Sequence, residues 1–152
     1  MKPKKSCSMI QLLTLGLLVC FLGAGVANAA ACSNSTIKGT YAFTVHGQIF
    51  PPDGSAPLLV DGVAKTTFDG NGNLSQVDAV ATNGRVAPGW RPGTGTYSVD
   101  SDCTGTMTIN NQGMAPFNLQ ILVAQSGQTI HTVVIDPGFA ITSDAERLRS
   151  PK

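Results

Sequence analysis

An all-β fold, a single small antiparallel meander β-barrel of about eight strands, is what the sequence predicts. Three observations carry that expectation. Apolar and polar residues alternate with period two through most of the chain from Ile37 onward, the signature of half-buried strands. Clusters of Gly, Pro, Asn, Asp and Ser punctuate these runs at short intervals, as hairpin connections do. No long stretch carries the 3.6-residue apolar period of a helix. A meander of this length leaves two exposed edges unless it closes on itself, and closure removes them.

The chain opens with a segment that does not belong to the barrel. Lys2, Lys4 and Lys5 precede an apolar run over residues 9–26, and Ala27-Asn28-Ala29 follows. This is the layout of a signal peptide, with small residues at −3 and −1, and it predicts cleavage after residue 29 and export to the periplasm or beyond. An uncleaved membrane anchor is the alternative, since the run is just long enough to span a bilayer. The small-residue site directly after it favours removal, leaving no stable membrane span. Residues 30–152 then form one barrel domain with a frayed C-terminal tail, long enough for one core and too short for two.

In the first strand, Ile37, Tyr41, Phe43, Val45 and Ile49 share one face, and Lys38, Thr40, Thr44, His46 and Gln48 share the other. After the turn PPDGS (51–55) comes a run ending in KTTF, then DGNGN (69–73), then LSQVDAV. The turn-rich PGWRPG (88–93) leads into GTYSVD, where Tyr97 and Val99 oppose Thr96 and Ser98. CTGTMTIN sets Cys103, Gly105, Met107 and Ile109 against three threonines and Asn110. Beyond NNQG (110–113), Phe117, Leu119, Ile121 and Val123 line up. In QTIHTVVID, Ile130, Thr132 and Val134 face one way and His131, Val133 and Ile135 the other. Ser143-Asp144-Ala145-Glu146 resembles a helix capping box, but too few residues follow for a stable helix, and it reads as the end of a last strand. Small residues at strand positions (Gly39, Gly47, Gly62, Gly95 and Gly105) suit the bending that a small barrel needs.

Charge and cysteines bound the function. Without the three leader lysines, the chain keeps seven Lys and Arg against nine Asp and Glu, a formal charge of −2. A charge-poor, weakly acidic domain has no basic footprint for nucleic acid and no polybasic cluster for anionic membranes. Cys7 and Cys20 lie in the leader. Cys32 and Cys103 are the even pair left in an exported chain, which predicts a disulfide. The alternative, a lipoprotein anchored at Cys32, is disfavoured because Ala29 stands where lipoprotein leaders usually carry a larger aliphatic residue.

No constellation of catalytic residues is legible, and no cofactor or metal site is expected. Asp69, Asn71 and Asn73 match the first three ligand positions of a calcium loop, but Leu74 and Val80 replace the required Gly and Glu. Strand-like flanks make the segment a hairpin instead. His46 and His131 fall on the polar faces of their strands and read as solvent-facing, and there is no G-x-S-x-G elbow. Two residues stand out as cavity candidates. Asp78 shares a face with Leu74 and Val80, so it either points into the barrel as a candidate acid or base, with a raised pKa, or marks a register break or exposed edge. Trp90 either caps a barrel mouth over a ligand or plugs the barrel end as core.

The segments CSNSTIKGTYAFTVHG, VAKTTFDGNGNLS, GTGTYSVDSDCTGTMTI and VIDPGFAITSDAERL resemble exported bacterial proteins of the allene oxide cyclase barrel-like group. The resemblance covers nearly all of the chain after the leader, and its motifs are turns and strand starts. It implies a small closed barrel whose lumen could hold an apolar ligand. The active-site motif of the plant cyclases has no counterpart here, so their activity is not implied. Three functional expectations follow: a module binding a small hydrophobic ligand, a cofactor-free isomerase or cyclase in the same cavity, or a structural protein with a packed interior.

Overall fold

A computed structural model describes residues 31–149, so residues 1–30, which include the expected signal peptide (1–29), and residues 150–152 lie outside the described part. Nine strands occur among the described residues: β1 (Gly39–Ile49), β2 (Leu58–Phe68), β3 (Asn73–Thr82), β4 (Arg85–Val86), β5 (Arg91–Val99), β6 (Thr104–Asn111), β7 (Phe117–Ala124), β8 (Thr129–Val134) and β9 (Phe139–Arg147). All pairings are antiparallel and join strands adjacent in the chain, except that β3 pairs with β5 past the short β4 and that β9 returns to pair with β1 from Tyr41↔Arg147 to Ile49↔Phe139. Eight strands therefore close into an up-and-down barrel. The ninth, β4, is a two-residue spur on β3, paired through Ala81↔Val86 and Thr82↔Arg85.

The inward faces are those of the period-two reading. In β5 every second residue from Gly93 to Val99 is buried, and in β7 Leu119, Ile121 and Val123 are. The capping-box segment Ser143–Glu146 lies within β9 and forms strand, not helix. Ile37 departs slightly from expectation: it is buried, but in a one-turn 3-10 segment (Asn34–Ile37) ahead of β1. The DGNGN hairpin joins β2 to β3. The Asp69 carboxylate accepts hydrogen bonds from the Asn71 and Asn73 amides and from the Asn73 side chain, which hold it below the ordinary carboxylate value. These bonds close the hairpin loop around the Asp69 carboxylate.

Strand direction gives the barrel two unlike poles. At one, the 31–38 segment folds across the opening. The disulfide joins Cys32 to Cys103, with Cα atoms 5.0 Å apart. Asn34 accepts from the Val99 amide through its side chain, and Arg147 donates to the Thr36, Lys38 and Gly127 carbonyls. Beneath this plug, Tyr41, Phe68 and Tyr97 pack edge to face with centroids 5.5 and 4.9 Å apart. Burial pushes the Tyr41 phenol above its ordinary value, and the neighbouring Arg147 opposes the shift. The phenol donates to the Gly127 carbonyl. This pole is sealed by aromatic packing.

The glycines allow neighbouring strands to approach closely. A methyl added at Gly95 or Gly105 would stand 2.0 or 2.1 Å from a carbonyl oxygen of the adjacent strand. Only a residue without Cβ fits such an approach.

Candidate functional site

An eight-stranded barrel is just wide enough either to be filled by its own side chains or to hold one small molecule. Here the two halves differ. Large aromatic residues fill the plugged half. Toward the other pole the inward positions are smaller or polar, among them Ala64, Thr66, Gly93, Thr132 and Ser143, and they leave a cavity of about 290 Å³. That is close to the lower end of the roughly 300–1,000 Å³ typical of small-molecule pockets. Most of its wall is apolar: Phe43 and Val45 from β1, Val60 from β2, Ile109 from β6, Leu119 from β7 and Ile141 from β9. Phe117 and Phe139 pack edge to face near the mouth, with centroids 5.2 Å apart.

Two polar patches interrupt this wall. The larger spans β2, β3, β5 and β6. Asp78 points inward and is 5% exposed. Its carboxylate accepts from Arg91 Nε at 2.8 Å and Nη2 at 3.1 Å, a two-point fork. Gln76 Nε2 and Asn111 Nδ2 each donate to Asp78 Oδ2 at 3.3 Å, and Thr66 Oγ1 donates to Gln76 Oε1. Gly93, opposite Gln76 and Asn111 in the ladder, makes room for this cluster: a methyl there would lie 2.2 Å from Asn111 Oδ1. The second patch is a pair of buried hydroxyls, Thr132 Oγ1 on β8 and Ser143 Oγ on β9, 2.6 Å apart. In the closed strand order, β8 and β9 lie across the barrel from β3 and β5, so the patches occupy opposite walls.

The two cavity candidates thus part company. Asp78 is in the cavity wall, but not as a lone acid in apolar surroundings. Arg91 neutralises it, and the carboxamides complete its hydrogen bonding. Trp90 is 60% exposed in the loop between β4 and β5 and neither plugs the barrel nor lines the cavity. The loop before it, Ala87-Pro88-Gly89, carries little apolar bulk to draw the indole inward, and Val86, four residues earlier, is exposed as well. His46 and His131 lie on the outer surface, paired with Asp61 at 3.0 Å and Asp144 at 2.6 Å. No group of three or more His, Cys, Asp or Glu able to hold a metal occurs among the described residues.

Arg91, Gln76, Asn111 and Ser143 went unrecognised in the sequence as wall residues. A signal for them existed. Continuing the inward set Tyr97, Gly95 and Gly93 back by two reaches Arg91, and the step from Leu74 to Asp78 passes through Gln76. The Pro and Gly of PGWRPG, and the Gln-Gly after Asn111, read as turns and masked Arg91 at the start of one run and Asn111 at the end of another. No protein-family model, curated protein or solved structure matches the chain, so the site stands on its geometry alone.

Proposed function

We propose that this protein is an exported calyx that binds one small, mostly apolar molecule in the open half of its barrel, akin to the allene oxide cyclase barrel-like group that its turns resemble. The observation that supports this reading is the 290 Å³ cavity, apolar over most of its wall and plugged at one pole only. A protein whose barrel served only as a scaffold would gain stability by filling that space, because unfilled apolar volume costs packing energy. The predicted leader and the disulfide between Cys32 and Cys103 fit an oxidising compartment.

A cofactor-free isomerase using the same cavity is the second reading, and the inward Asp78 speaks for it. A general acid or base needs a proton site within reach of substrate. Both oxygens of Asp78 are already engaged by Arg91, Gln76 and Asn111, so its geometry suits a fixed polar wall better than proton transfer.

Titration with diphenylhexatriene, a fluorescent hydrocarbon, tests the binding reading. Saturable one-to-one binding is expected, and it is lost when Ala64→Phe fills the cavity while the far-UV spectrum is unchanged. Binding that survives Ala64→Phe would place the probe elsewhere and count against the calyx.

A further inference from the structure

The two polar patches differ in what they have left to offer a ligand. In the Asp78 cluster the carboxylate is fully engaged: Asp78 accepts four hydrogen bonds, and Arg91 spends Nε and Nη2 on it and directs Nη1 at Met114 Sδ, so the charges there are matched to each other. The Thr132–Ser143 pair is uncharged and keeps a donor free. Two hydroxyls carry two protons, and the single bond between them uses one. Neither hydroxyl makes any other hydrogen bond among the described residues, and both line the cavity. Whichever one donates, the other keeps a proton to give.

Charge narrows the ligand further. Asp78, Arg91 and Arg85 are the charged residues in the lining, and Arg91 is committed to Asp78. Arg85 is exposed on β4 at the rim. An anion carried to the depth of the hydroxyl pair would lose its hydration and meet no uncommitted cation there, which is unfavourable. A neutral acceptor meets a waiting donor.

Building on the calyx reading, we infer that the Thr132–Ser143 pair is a recognition subsite for a neutral oxygen acceptor, so that the ligand class is an apolar molecule carrying a ketone, ester or alcohol part-way along its length. The apolar wall holds the hydrocarbon, and the pair donates one hydrogen bond to the oxygen. The Asp78 cluster on the opposite wall positions this molecule without exchanging protons with it.

The test compares three fluorescent probes on the folded protein: Prodan, a neutral naphthyl ketone; diphenylhexatriene, with no polar atom; and anilinonaphthalene sulfonate, an anion. Its key variant, Thr132→Val with Ser143→Ala, removes both partners of the buried bond at once and so leaves no orphaned group. Thr132→Ser keeps the hydroxyl and serves as the control. Prodan should bind the wild type and the control alike and the double variant roughly tenfold more weakly. Its bound emission should shift to shorter wavelength when the donor is lost, while diphenylhexatriene affinity stays within twofold.

Equal Prodan affinity and emission in wild type and double variant would overturn the subsite and leave the calyx standing. Tighter binding of the sulfonate than of Prodan would overturn the neutral ligand class. Binding of no probe at all would overturn the calyx reading itself and this inference with it. Should that double variant fail to fold, Thr132→Ala with Ser143→Ala takes its place, since either single substitution would leave one hydroxyl donor, and the same weakening of Prodan and blue shift are expected.

Discussion

Asp78 has the cationic Arg91 on one side and two carboxamides on the other, all drawn from different positions in the ladder. A carboxylate this deep is tolerated only because its charge is matched and its lone pairs are filled. Removing one partner is therefore more harmful than removing both. Breaking a buried pair typically costs about 3–5 kcal/mol, but the Arg91 side chain is 34% exposed and water recovers part of its solvation. We expect Asp78→Ala to cost about 2 kcal/mol in a urea unfolding experiment, and Asp78→Leu with Arg91→Met to recover most of that loss. A single substitution within 0.5 kcal/mol of wild type would show that the pair does not hold the wall. At this scale the sequence was half legible. Alternation gave Asp78 an inward candidate position, but nothing within a single strand announces that Arg91 lies opposite it, because that contact exists only once β3 and β5 are paired across the Trp90 loop.

Among the strands, β5 shows how composition shapes both barrel and site. Its inward residues run Arg91, Gly93, Gly95, Tyr97 and Val99, from charged at the mouth, through two glycines, to bulky at the plug. The glycines let β3 and β6 crowd in and give Gln76 and Asn111 space to reach Asp78. Gly93→Ala should displace the Asn111 amide and destabilise the fold by about 1–3 kcal/mol, the usual range for overpacking. Asn111→Ala, which vacates the space, should restore part of that loss when combined with it. A double variant no more stable than Gly93→Ala would show that the clash lies with backbone instead. The strands themselves were readable because inward and outward residues alternate so regularly. The β4 spur was not: two exposed residues carry no periodicity, and their pairing with Ala81 and Thr82 depends on how the loop returns. The 3-10 turn before β1 was hidden similarly, since Ile37 continues the alternation of the strand that follows it.

At the scale of the whole molecule, the barrel is tied at one pole and open at the other. The Cys32–Cys103 bond closes a loop with a sequence separation of 71 and holds the plug over the aromatic floor. The chain-entropy model gives roughly 4 kcal/mol for a loop of this size. Replacing both cysteines by alanine should lower guanidinium stability by about that amount. A loss confined to the plug, with the barrel melting as before, would show as a separate early transition and would mean that the covalent tie secures only the N-terminal segment. The even pair of cysteines left after the expected leader made the bond predictable. The division into a filled half and a hollow half was not predictable, because it depends on the sum of side-chain volumes at each level of the closed barrel.

The β1–β9 seam has a consequence for how the chain reaches this state. Every other ladder joins strands that follow one another in the chain, with only the short β4 spur between β3 and β5, so each can form as soon as its connecting loop exists. The seam joins Tyr41 to Arg147 and must wait for nearly the entire domain. Long-range closure of this kind slows folding, because its loop entropy is spent before its contacts are gained. On a chain synthesised or translocated from its N-terminus, β1 emerges first, and its outer edge stays open to other chains until β9 arrives. Cys103 precedes β9 by some distance, so the disulfide can form while the barrel is still an open sheet. Oxidation before closure would fold the 31–38 segment over the forming aromatic floor and bring β1 close to where its final partner must dock.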